Sequence, residues 1–135
     1  MIVELPAALY DEAVALWREV GLTRPWNDPD ADLRNALGGP SSAVLAWVED
    51  GALLGTVMVG TDGHRGWMYY LAVAPTAQGR GLGRQLVAAA EGWVLAAGIP
   101  KVMLMVRTSN ELVLGFYEAL GYEVNPVATL GKRLN

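Results

Sequence analysis

At 135 residues and 53% hydrophobic side chains, the chain is the size of one domain, residues 1–135, with a real core, and no segment approaches the ~18 uninterrupted apolar residues of a membrane helix. It has no cysteine and one histidine, which excludes disulfides, thiolate metal sites and a cysteine nucleophile and argues against any metal. A net charge of -4 with scattered basic residues argues against a nucleic-acid partner and suits a cationic substrate such as an amine, and Met1-Ile2-Val3-Glu4 lacks the features of a secretory signal, so a cytoplasmic protein is expected.

Residues 2–5 read as a short first strand, and Pro6 stands near a helix start, where its missing N–H does no harm. Ala8, Leu9, Glu12, Ala13, Leu16 and Val20 recur at helical spacing, and Gly21 ends the run. In the loop Arg24-Pro25-Trp26-Asn27-Asp28-Pro29, Asp28 is placed to cap a second helix over residues 29–37, with Pro at its first position. Trp26 has two readings. It is a hydrophobic anchor pinning the two helices, or, with Asn27 and Asp28, a wall of an acceptor pocket.

Strands over residues 43–48 and 53–59 are joined by Asp50-Gly51, a strong hairpin signal. A second turn spans residues 61–66, and a third strand begins near Trp67, which makes an antiparallel meander. His64, the one histidine, sits in that second turn. A strand of about seven residues spans roughly 23 Å, too far for proton transfer at the other end of the strand.

That third strand continues through Tyr69-Tyr70-Leu71-Ala72-Val73, and a helix runs over residues 86–97. Between them lies Gln78-Gly79-Arg80-Gly81-Leu82-Gly83-Arg84. Glycine lets backbone approach a ligand closely, and a helix start offers unpaired N–H groups and partial positive charge, so the stretch is a seat for a pyrophosphate. It is no P-loop, because no Lys-Ser or Lys-Thr follows. Nor does it suit a Rossmann fingerprint, which belongs in a first strand–helix turn. The bland alternative is a tight turn with no ligand. The helix presents Leu82, Leu86, Ala89, Trp93 and Ala97 on one face, Gly98 closes it, and residues 101–107 form a strand parallel to the third. The nearby methionines read as core filler.

Residues 109–122 form the second informative stretch. Asn110 stands where a helix begins and Gly121 where it ends, and Tyr117 lies seven residues, close to two turns, after Asn110 on the same face. Taken singly, Asn110 is a cap and Tyr117 a packed aromatic.

Taken together, Gln78-x-x-Gly81-x-Gly83 and Asn110-x-x-Val113-x-x-Phe116-Tyr117-x-x-Leu120-Gly121-Tyr122 resemble the two signatures of the GNAT acetyltransferases, in the right order. Residues 24–29, 62–66 and 131–134 resemble the YpeA-like bacterial subgroup. The resemblance covers essentially the whole chain. It implies a mixed α/β fold: a central, mostly antiparallel twisted sheet of six to seven strands, including final strands after Tyr122, a splayed parallel pair, and four flanking helices. It implies an acetyl-coenzyme A-dependent N-acetyltransferase, acting on a small amine or a protein amino group without a covalent intermediate. By the same resemblance Leu71, Ala72 and Val73 pair with the pantetheine arm, and Gly79, Arg80, Gly81, Leu82, Gly83 and Arg84 bind the pyrophosphate. Asn110 bonds the pantetheine. Tyr117 protonates the leaving thiolate, which suits a phenol with a pKa of about 10. Tyr69 and Tyr70 lie near the acyl site, where an N–H of residues 69–73 faces the carbonyl oxygen.

One departure concerns the base. Met105 stands where related ribosomal-protein alanine acetyltransferases carry a glutamate. An ordered water, a residue of the Trp26 loop, or an acceptor arriving as free amine fills that role. A non-catalytic acetyl-coenzyme A-binding module or regulator is the alternative function, and a Rossmann-like nucleotide enzyme a more distant one. A homodimer is compatible with the sequence.

Overall fold

The computed structural model describes residues 1–135. The chain forms two compact units, Met1–Met105 and Val106–Asn135. The first contains β1 (Ile2–Glu4), α1 (Tyr10–Glu19), α2 (Pro29–Gly38), β2 (Ser42–Glu49), β3 (Ala52–Thr61), β4 (Gly66–Val73), α3 (Leu82–Ala96) and β5 (Val102–Met103). The second contains α4 (Glu111–Ala119). No helix is long and apolar enough to cross a membrane.

Local chemistry sets most of these boundaries. The Asp28 carboxylate accepts from Ala31 N–H at 3.1 Å with Pro29 behind it, so α2 starts as expected. Asp50 and Gly51 both take positive φ, 52° and 78°. That is the two-residue turn whose twist matches the strands it joins.

The sheet runs β1-β2-β3-β4-β5, antiparallel except for the parallel pair β4–β5. Helices α1 and α2 cover one face, where Ala13, Val14, Leu16, Trp17, Leu33, Val44, Ala46 and Met58 pack together. Helix α3 packs on β2, β3 and β4. With helices on both faces, β2 and β3 are buried through their middles and read as continuous apolar runs. Gly66 lets α3 come close: a Cβ there would lie 2.6 Å from both γ-carbons of Val94.

Five expectations are corrected. The sheet has five strands, not six to seven. The strand expected over residues 101–107 shrinks to Val102–Met103: its ladder with β4 ends at Trp67↔Met103, ahead of the bulge at Tyr70–Leu71. Residues 122–135 form no strand; Pro126 lacks a donor, and Val124, Val127, Leu130 and Leu134 are exposed rather than packed on a sheet. The buried face of α3 is Leu82, Leu86, Val87, Ala90 and Val94, while Ala89 and Trp93 are half-buried and Ala97 exposed, so the helix is rotated toward Val87 and Val94 from the expected face. Finally, Trp26 is 56% exposed rather than a buried anchor.

Candidate functional site

The glycine loop lies where the sequence puts it. After β4, residues Pro75–Ala77 make one 3-10 turn, and the Gln78 side-chain amide donates to the Val73 carbonyl at 3.3 Å, tying loop to strand. Gly79 and Gly81 take φ of +85° and +78°, a conformation that side-chain-bearing residues resist. Gly81 is the N-cap of α3, and no side chain caps that end. The N–H groups of Leu82, Gly83 and Arg84 therefore sit at the positive end of a 15-residue helix without a side-chain acceptor. This is the arrangement that binds phosphate oxygens. The Arg80 guanidinium donates to Glu49 at 2.8 Å. The pair holds the Glu49 carboxyl below its usual range and raises Arg80.

Upstream, β4 carries a bulge. Thr56 pairs with Ala72 and Met58 with Tyr69, so Val57 alone faces both Tyr70 and Leu71. Tyr70 takes φ +51°, a left-handed conformation that costs a bulky residue about 1–3 kcal/mol. Several contacts hold it there. Its carbonyl accepts from Thr56 Oγ1 at 3.0 Å, its ring stacks on Trp17 at 4.0 Å and 16°, and its hydroxyl donates to Asp32 Oδ2 at 2.7 Å. Thr56, fully buried, in turn accepts from Trp17 Nε1 at 2.8 Å. Burial, then the Asp32 hydrogen bond, then the charges of Asp32 and Asp28 push the Tyr70 phenol far above its ordinary pKa. Tyr69, paired with Met58, is 42% exposed, and partial burial followed by the charge of Asp62 raises its phenol.

The unit Val106–Asn135 carries the other two residues. Asn110 Oδ1 accepts from Val113 N–H at 3.3 Å, capping α4 through the carboxamide oxygen and not its nitrogen. Tyr117 is buried, edge-on to Phe116 at 5.0 Å and to Tyr122 at 5.4 Å. Burial alone pushes its phenol up to about 12. Gly121, at φ +93°, ends the helix, and the Tyr122 N–H returns to the Tyr117 carbonyl at 3.0 Å.

Of the sequence candidates in the first unit, Leu71, Ala72 and Val73 lead from the bulge toward the glycine loop. Asp28 reaches Tyr70 through its charge, while Trp26 and Asn27 are exposed. His64 lies in an exposed turn closed by Asp62, whose Oδ1 accepts from the N–H groups of His64 and Arg65. Met105 is 56% exposed. No group of His, Cys, Asp and Glu is arranged to hold a metal. A cavity of about 250 Å³ lined by Leu37, Pro40, Ser42, Val44 and Trp93 contains none of the candidates. Reading the sequence missed Trp17, Asp32 and Thr56: each looks like an ordinary helix or strand residue, and the partner that distinguishes it lies far along the chain.

Comparison with known proteins places the chain in a family. Residues 7–122 match the acetyltransferase (GNAT) family. Acetyltransferase YE1169 of Yersinia enterocolitica serotype O:8 / biotype 1B (strain NCTC 13174 / 8081) is 43% identical over 125 residues, which cover 93% of this chain and 89% of the relative. The solved structure of AAC(6')-Iy in complex with the bisubstrate analogue CoA-S-monomethyl-acetylneamine has a TM-score of 0.82 at 20% identity, covering 98% of this chain and 97% of that one. A transcriptional regulator from Bacillus halodurans C-125 has a TM-score of 0.83 at 17% identity, covering 99% of each chain. At these identities the structural likeness is one of fold.

Proposed function

The chain belongs to the acetyltransferase (GNAT) family and is an N-acetyltransferase with acetyl-coenzyme A as donor, and from that premise we propose that it acetylates a primary amine by direct attack on the thioester. The observation that carries the reading is the uncapped start of α3 behind Gly79 and Gly81, both at positive φ, directly after β4. Leu71, Ala72 and Val73 pair with the pantetheine arm as an added strand would. The N–H groups from Gly79 to Arg84 take the pyrophosphate, and Asn110 takes a pantetheine amide. The acceptor nitrogen attacks the acetyl carbonyl, the C–N bond forms, and the C–S bond breaks. Tyr117, a phenol that carries its proton at neutral pH, gives that proton to the departing thiolate.

The ammonium proton of the acceptor is lost before attack. Met105 offers no base, and an α-amino group with a pKa of about 8 supplies enough free amine near neutral pH. The aminoglycoside moiety bound by AAC(6')-Iy and the net charge of -4 both favour a cationic acceptor, with Trp26, Asn27, Asp28, Tyr69 and Tyr70 on its side of the site. The family match runs through both compact units, which supports one domain over residues 1–135. The loop residues 24–29 and 62–66 support placing it in the YpeA-like bacterial subgroup, and the absence of cysteine supports a cytoplasmic setting.

Calorimetric titration with acetyl-coenzyme A, with NAD and ATP as controls, tests the donor. Thiol release in the presence of small amines, aminoglycosides and peptide N-termini tests the transfer. Selective binding with thiol release from one amine class is expected. Binding without release from any amine would turn the reading to a regulator, and no binding would remove it.

A further inference from the structure

The bulge in β4 is held by residues outside it. Tyr70 carries a large side chain at φ +51°, although β3 and β4 pair regularly on both sides of it. A strand with one residue fewer would pair straight through, so closing the sheet does not call for this conformation. It persists only if its surroundings over-determine it.

Hydrogen-bond directions identify the key contact. The indole N–H of Trp17 can only donate, so the Thr56 oxygen accepts there, at 2.8 Å. The hydroxyl's single proton then goes to the Tyr70 carbonyl at 3.0 Å. Trp17 and Thr56 are both fully buried, so the proton has no competing water. Trp17 also stacks on the Tyr70 ring. One indole thus grips Tyr70 twice, by its face and, through Thr56, by the backbone.

We propose that Thr56 and Trp17 are positioning residues for acetyl transfer: the Trp17–Thr56–Tyr70 chain of hydrogen bonds holds the Tyr70–Leu71 backbone in the bulged conformation through which β4 meets the acetyl group. This rests on the acetyl-coenzyme A reading above. A chain whose sole role is to satisfy a buried indole would do so with any nearby acceptor. This one instead fixes the direction of a backbone carbonyl at the single strained residue of β4, immediately before Leu71, Ala72 and Val73.

The test compares the affinities of acetyl-coenzyme A and free coenzyme A by calorimetry in the wild-type chain, Thr56→Val, Thr56→Ser and Trp17→Phe. The two ligands share everything the glycine loop binds, so the ratio of their dissociation constants reports what β4 offers the acetyl group. Thr56→Val is expected to shift that ratio against acetyl-coenzyme A by about 2- to 10-fold, the range of one hydrogen bond, while affinity for coenzyme A stays close to wild type. Thr56→Ser keeps the hydroxyl and is expected to keep the ratio. Trp17→Phe retains a stacking ring without the N–H and is expected to move the ratio in the same direction as Thr56→Val. A folded Thr56→Val with an unchanged ratio overturns the proposal, as does an equal shift in Thr56→Ser. Should Thr56→Val not fold, an unchanged ratio in Trp17→Phe overturns it. Wild-type protein that binds neither ligand is a failure of the cofactor reading itself, visible before any variant is compared.

Discussion

Gly81→Ala separates what the glycine loop does for the fold from what it does for the cofactor. Gly81 starts α3 at φ +78°, and a Cβ there meets no protein atom within 4 Å. The folding cost is therefore that of a left-handed alanine alone, about 1–2 kcal/mol. For a domain of this size that is a fall of roughly 3–10 °C in Tm. Binding should suffer more. The added methyl occupies open space beside the N–H groups that would face a phosphate, and losing one hydrogen bond to a charged group costs about 1.5–3 kcal/mol, or roughly 10- to 150-fold in Kd. Gly92→Ala on the same helix is the control. Its Cβ also meets nothing, and its φ is ordinary, so it should gain about 0.5–1 kcal/mol and leave Kd alone. Thermal unfolding by circular dichroism and titration with acetyl-coenzyme A measure the two effects separately. A folded Gly81→Ala that binds with wild-type affinity would refute the pyrophosphate seat at the start of α3. A Tm fall of tens of degrees would refute the claim that the space is open.

Tyr117→Phe should lower turnover about 10- to 100-fold while hardly changing cofactor affinity, since only the proton donor is lost; steady-state kinetics with equal turnover would take the hydroxyl out of the acid role. Burial raises the Tyr117 pKa from 10.0 to about 12, so the folded chain holds that proton more tightly than the unfolded one. The resulting stability is complete below the unfolded value and is lost as pH rises through the folded one. Denaturant midpoints followed through the window from 10.0 to about 12 should therefore fall less steeply in Tyr117→Phe than in wild type, and parallel curves would contradict the shift. Gly66→Ala should cost about 1–3 kcal/mol by overpacking, because its Cβ would sit 2.6 Å from both Val94 γ-carbons. Val94→Ala in the same chain should recover part of that cost, whereas simple additivity of the two unfolding free energies would mean the pair does not meet.

What the sequence made legible was carried by neighbours in the chain. The Asp28 cap, the Asp50-Gly51 turn, the glycines before α3 and the Asn110 cap all act within three or four residues, and each stands in the structure where local chemistry places it. What it concealed depends on distant partners. Residues 101–107 have the composition of a full strand, yet composition cannot tell that pairing with β4 ends at Trp67↔Met103. At Tyr70 local preference and the native backbone disagree as well: tyrosine is a strand former, and nothing near it in sequence suggests a left-handed φ. The contacts that impose it come from Thr56, 14 residues away, Asp32, 38 residues away, and Trp17 on α1. Where a sequence is otherwise locally consistent, such a conflict marks strain kept for a reason. The glycine loop is a turn that glycine makes without strain, so it announces itself in the sequence. The β4 bulge is a backbone distortion that packing makes against preference, so it becomes visible only with the partners that enforce it. Under the proposed function the two meet different parts of one ligand, pyrophosphate and acetyl group, and that is why reading the motifs alone identified the donor while leaving the residues that orient the reacting end unseen.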